Sequence, residues 1–213
     1  MRYLIVIALS VMALTGCQSA YYSAMEKVGY HKRDIMVDRV EDAKQSQQEA
    51  QQEFTSALDA LSALTNFKGG DLEDIYNRVN DKYQDSEKAA ADVHQRIADI
   101  EDVSQALFEE WNSELDLYTS SKLRRASAQK LKETKASYNK MLSAMKRSEQ
   151  KMTPVLNTLR DNTLYLKHNL NAAAVGSLQG EFASLEKEIQ SAIKQMNAAI
   201  NESNQFLEKL KTK

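Results

Sequence analysis

The chain has 213 residues, 42% hydrophobic and 27% charged, with one Pro and six Gly. Average usage would give roughly 25 Pro and Gly together, so turn formers are too scarce for a β-sandwich, a barrel or an α/β sheet. Lys and Arg number 28 against 30 Asp and Glu, so no overall polycation points to nucleic acid.

Met1-Arg2 precedes an apolar run from Tyr3 to Leu14, then Thr15-Gly16-Cys17. One cation before so short a run fits a secretory signal better than a span of about 30 Å. Leu14-Thr15-Gly16-Cys17 matches the lipobox of bacterial lipoproteins: a branched aliphatic residue, two small residues, and a thiol to receive diacylglycerol. Cleavage is expected after Gly16, leaving Cys17 as the first mature residue and the site of acyl chains, palmitate among them. Two or three chains anchor a protein stably where one holds it marginally. An ordinary secretory signal or an uncleaved anchor is the competing reading. Cys17 is the single cysteine, which excludes an internal disulfide and a thiolate zinc cluster. Gln18, where Asp would signal retention, favours the outer membrane under the sorting rule of didermal bacteria. The expected organisation is a signal peptide at 1–16, a lipidated membrane-proximal segment at 17–30, and one helical bundle domain at 31–213 facing the periplasm.

Helical periodicity governs the rest. Spacing of three and four residues picks out Met36, Val40, Ala43, Gln47, Ala50, Phe54, Ala57, Leu61 and Leu64 as the buried seam of a first long helix. Asn66-Phe67-Lys68-Gly69-Gly70 breaks it, with Asp71 expected as the next N-cap. A second seam runs from Leu72 through Val79, Val93, Ile100, Leu107 and Trp111 to Glu114 and Tyr118, before a turn at Thr119-Ser120-Ser121. The third seam, weak in its opening turns, includes Leu131, Tyr138, Met145, Met152, Leu159, Leu166 and Leu170. Pro154 inside it should kink the helix or restart it with Thr153 as N-cap; the heptad phase continues across it, which favours the kink. The helix is expected to end at 172–176, with Gly176 past its end and Ser177 capping a fourth. That last seam is Leu178, Phe182, Leu185, Ile189, Ala192, Met196, Ala199, Ser203, Phe206 and Leu210, widened by Ile193, Ile200 and Leu207. A stripe this wide predicts an all-α fold: an elongated, left-handed, antiparallel up-down-up-down bundle or coiled coil of four long helices.

Charge is unevenly placed. Between Asp71 and Leu117 there are 14 acidic residues against four basic ones; between Ser121 and Lys151 there are ten basic residues against Glu133 and Glu149. An antiparallel hairpin would set these stretches side by side, so pairing between the second and third helices is expected. The alternative is that Lys122, Arg124, Arg125, Lys130 and Lys132 bind an anionic partner, either lipid headgroups or a cell-wall polymer. Lys32 and Arg33 would lie near the acylated end, able to meet headgroups or to pair locally with Asp34, Asp38, Glu41 and Asp42.

His31, His94 and His168 are scattered, without metal-ligand spacing, and no phosphate-binding loop is present. No metal, no cofactor beyond the acyl chains on Cys17 and no catalytic residue is expected. Lys213 at the C-terminus resembles the wall-linked lysine of the major murein lipoprotein, although Lys209 and Lys211 make a terminal lysine unremarkable.

Residues 21–43, YYSAMEKVGYHKRDIMVDRVEDA, resemble the opening of an uncharacterised family of bacterial lipoproteins known only as a domain of unknown function. The resemblance rests on Val28-Gly29-Tyr30-His31-Lys32-Arg33-Asp34-Ile35 and Val37-Asp38-Arg39-Val40. It implies a lipoprotein signal and coiled coil, and supplies no activity or site.

The expectation is therefore a non-enzymatic lipoprotein, tethered to the outer membrane through Cys17, that spaces or adapts other envelope proteins. Its contacts would be the loops at 66–71 and 174–180, or Trp111 and Phe108 if they are exposed. A binding module for anionic polymer and a holdase-like chaperone are the alternatives. No nucleic acid is expected as partner; a homo-oligomer is compatible with so regular a seam.

Overall fold

The computed structural model describes residues 20–65 and 72–211. Cys17, the expected break at 66–71 with its Asp71 cap, and Lys213 lie outside them. A short helix α1 occupies 20–27. Four long ones follow: α2 (Lys32–Thr65), α3 (Leu72–Glu114), α4 (Ser121–His168) and α5 (Ala172–Lys211), with a 3-10 turn at Leu115–Leu117. No strand occurs among the described residues.

Each long helix packs on the next, and α5 closes the ring on α2. Cross-helix bonds fix the directions. Lys32 meets Glu110 while Lys82 meets Glu53, so α2 and α3 are antiparallel. Trp111–Ser127 and Lys146–Glu101 give the same for α3 and α4, and Lys140–Glu202 with Thr158–Glu188 for α4 and α5. The architecture is thus the up-down-up-down bundle that the seams predict. Of 48 residues, α4 spans about 72 Å.

The seams are largely the core. Met36, Val40, Ala43, Gln47, Ala50, Phe54, Ala57 and Leu61 of α2 are all buried, as are Leu185, Ile189, Ala192, Met196, Ala199, Ser203 and Phe206 of α5. Strict heptad reading fails on α3, where Ile75, Ala89, Val103 and Phe108 are buried beside the expected line. A straight helix drifts about 20° per heptad, and a helix touching two neighbours buries more than one line.

Helix α4 passes Pro154 without a restart, as the unbroken heptad phase favours. One boundary differs from expectation: the α4–α5 break lies at 169–171, not at 172–176. There Asn169 caps α4, its N–H bonding the Leu166 carbonyl and its side-chain amide the Tyr165 carbonyl at 2.9 Å. The alanines that follow are the strongest helix formers, so Gly176 and Ser177 sit inside α5. The stretch 174–180 is therefore helix, not a contact loop.

The α1–α2 corner is a Schellman turn. Tyr30 N–H bonds the Met25 carbonyl, Gly29 N–H bonds that of Glu26, and Gly29 takes φ +83°, which a Cβ would strain. His31 caps α2, and the Asp34 carboxylate accepts its backbone N–H at 3.3 Å. The turn folds α1 back so that Tyr22 is buried against the bundle. Lys32 then holds three helices together, reaching Glu26 on α1 and Glu110 on α3, with its side chain only 12% exposed. Burial pulls its ammonium down, but the bonds to Glu110 and Glu26 outweigh this and leave it above the usual lysine value. The bond from Lys32 holds Glu26 below the usual carboxylate value, against the effect of burial.

At mid-bundle the core turns small and polar. Gln47 is fully buried; its amide donates to Ser148 Oγ at 3.3 Å, and its Oε1 has no hydrogen-bond partner among the described residues. Ser86, Ser148 and Ser203, also fully buried, each donate to a carbonyl of their own helix at 2.7 to 2.8 Å, which satisfies their hydroxyl hydrogens within the helix.

Two outcomes follow. Lys32→Met should cost about 1 to 3 kcal/mol at neutral pH in urea unfolding followed by circular dichroism. The stability held by Glu26 is fully present above the ordinary carboxylate value of 4.5 and is lost as pH falls through its lower folded value; Lys32→Met should flatten that acid limb, and an unchanged limb would refute the clamp. Gln47→Leu should raise stability by about 1 to 2 kcal/mol by removing the orphaned oxygen, with a loss instead showing that its bond to Ser148 outweighs its desolvation.

Candidate functional site

The ten cations between Ser121 and Lys151 do not mainly neutralise α3. Among the described residues only Lys146–Glu101 pairs one of these cations with an α3 carboxylate, at 2.6 Å, while Arg124 bonds Asp116 of the 3-10 turn at 2.5 Å and Lys140 bonds Glu202 of α5 at 2.9 Å. Lys135 lies over the Phe108 ring at 5.5 Å. The remaining six, Lys122, Arg125, Lys130, Lys132, Arg147 and Lys151, have no ion pair among the described residues. Two carboxylates of α3 turn instead toward α2: Glu110 takes Lys32, and Asp99 takes Arg39.

Four of the five cations singled out by the sequence are thus exposed and unpaired. Arg125 and Lys132, seven residues apart, fall on one line of α4. Lys130 lies elsewhere, on a groove of about 500 Å³ between α4 and α5. Glu133, Thr134, Ser137, Lys140 and Lys209 line the same groove; Lys140 is paired with Glu202, which leaves the ammonium groups of Lys130 and Lys209 beside Glu133 there. The groove is open and shallow in chemistry: it offers cations and hydroxyls to an anion. Thr134 already spends its hydroxyl hydrogen on the Lys130 carbonyl at 2.9 Å.

Lys32 is placed inward by the clamp described above, whereas Arg33 is exposed. Phe108 is buried, edge-on to Tyr138 with ring centroids 5.3 Å apart, and Tyr138 in turn meets Phe206. Burial lifts the Tyr138 phenol above its ordinary value. Trp111 packs on the core and donates its indole N–H to Ser127 Oγ at 2.9 Å. Neither ring is a free contact. Among the described residues no cluster of three metal-ligating side chains forms; His94 meets Glu149 at 2.5 Å, and His31 and His168 lie at helix ends. No described helix is long and apolar enough to cross a membrane.

Periodicity misplaced one set of residues. Tyr118 and Leu170 were expected in seams, yet they are 42% and 40% exposed. Leu117 and Leu123, outside the expected seam, are 79% and 57% exposed beside Tyr118. The signal for them lay in the seam itself, which turns polar at Glu114 and is weak at the start of α4.

No curated protein and no solved structure matches this chain. A family model described as "Protein of unknown function (DUF2959)" matches residues 21–210. That match covers all four long helices and the α1–α2 corner, and the chain belongs to this family of unknown function.

Proposed function

We propose that the mature protein is a lipoprotein of the bacterial outer membrane, held by acyl chains on Cys17, and that it acts in the periplasm as a non-enzymatic spacer or adaptor. The reading is carried by the lipobox Leu14-Thr15-Gly16-Cys17, whose cysteine stands 15 positions before Lys32, where the first of four long helices begins. Its mechanism is geometric. Acyl chains hold one point, and a bundle with a continuous core presents its sides and far end at a fixed distance. Three helices converging on Lys32 support this, because they join the tether-bearing segment rigidly to the rod.

Cys17→Ser should move the protein from the membrane pellet to the soluble periplasmic fraction; retention in the pellet would refute the tether. In-cell crosslinking of the acylated protein, with mass spectrometry of the adducts, should return one recurrent envelope protein if the rod is an adaptor. Adducts with itself alone would make it a spacer.

The unpaired cations of α4 favour a second reading, in which the α4–α5 groove binds an anionic cell-wall polymer. Lys130→Gln combined with Lys209→Gln should then lower cosedimentation with purified wall sacculi roughly tenfold at low salt, as expected for an interaction dominated by screened charge. Binding unchanged by the substitutions and by salt would remove it.

A further inference from the structure

Helices α3 and α4 outrun α5. Lys211, at the described end of α5, pairs with Glu41, nine residues into α2 from Lys32. Glu110 stands level with Lys32, and α3 with its 3-10 turn continues seven residues further to Leu117. At 1.5 Å per residue the α3–α4 tip overhangs the described end of α5 by roughly 20 Å. Residues 121–126 of α4 are accordingly exposed on every side.

That tip carries Leu117, Tyr118 and Leu123, all exposed, with Lys122 and Arg125 unpaired beside them. Between Glu114 and Lys132 five cations stand against two carboxylates, and one of the carboxylates, Asp116, is already taken by Arg124. Apolar residues beside a tyrosine, flanked by Lys and Arg, are the composition that settles at the boundary between headgroups and acyl chains. The α1–α2 corner lies at the same end, and α1 runs back from it along the bundle, with Tyr22 near Arg39 and Asp99 and with Cys17 three residues before its first described residue. Val28, 76% exposed, sits at the adjoining corner.

We infer that the α3–α4 tip is a second membrane contact, in which Leu117, Tyr118 and Leu123 enter the interface of the bilayer that holds the tether while Lys122 and Arg125 meet anionic headgroups. This rests on the lipoprotein reading of Cys17. A tethered molecule needs little further affinity, because the tether keeps the tip at high local concentration over the surface. Two points of contact also set the tilt of the rod, which a single point cannot.

The test uses full-length acylated protein with Leu123→Cys, labelled by an environment-sensitive maleimide and reconstituted in vesicles of phosphatidylethanolamine and phosphatidylglycerol. Ala183→Cys, exposed near the other end of the bundle, is the control. Quenching by aqueous iodide should fall roughly fivefold or more at position 123 and stay unchanged at 183, and brominated acyl chains should quench only the label at 123. Equal iodide access at both positions would overturn the proposal. Shielding of position 123 in native envelopes but not on vesicles would also overturn it and assign the tip to a protein partner. Thiol counting on the denatured, unsubstituted chain separates the two readings: no free thiol supports the acylated tether, whereas a free Cys17 would fail the tether independently of the quenching result.

Discussion

A helix can bury its apolar stripe only where neighbours run beside it, and here the neighbours are unequal. The long helices have 34, 43, 48 and 40 residues, so a four-sided core cannot extend over all of α4. Where α5 supports α4, the inward positions are Tyr138, Met141, Met145, Met152 and Leu159, all buried. Where it does not, as at residues 121–126, α4 is exposed and polar, apart from Leu123. The length mismatch therefore determines which part of the molecule is core and which part is left for other contacts.

The same geometry explains the distribution of charge. Complementary stretches on the second and third helices suggest a zipper between them, yet charge pairs form only where both side chains reach one groove. Helices α2 and α3 bring Arg39, Asp42, Arg96 and Asp99 into such a groove, where they form a small network. Much of α4's charge stands on its outward face, so proximity in sequence and opposite sign do not produce pairing. Exposed pairs are worth about 0 to 1 kcal/mol each, too little to rotate a helix whose buried face is already fixed by Tyr138 and Met145.

This contrast shows what was legible in the sequence. Periodicity read nearly every core residue of α2 and α5, because those helices follow 3-4 spacing closely, and Ser120 was identifiable as the cap of α4 from the Thr119-Ser120-Ser121 turn. It missed Phe108, because a helix packed on two neighbours buries two lines, and it put the last break at Gly176 when the alanines before it favour helix. Lys32 shows the limit of local reasoning. Local pairing points to Asp34, Asp38, Glu41 and Asp42 along α2, whereas one of its carboxylates lies across the Schellman turn and the other is 78 residues away. The candidate cations were legible as a charge run, but their freedom from partners depended on helix rotation, and the apolar tip depended on where α5 stops.

The overhang also differs from the rest of the rod in how it is held. Below it, a cluster of buried side chains joins all four long helices. At the tip the ties are short-range: Trp111 to Ser127, Arg124 to Asp116, and Leu123 N–H to Ser120 Oγ at 3.4 Å. Segments with few buried apolar contacts open at lower free energy than the core, so this hairpin end can adjust to a surface at little cost to the fold. The clamp at Lys32 lies between the two regimes. It couples α1, which leads back toward Cys17, to α2 and to the stretch of α3 that carries the tip, so the three helices are joined there by charged bonds as well as by the burial of Tyr22.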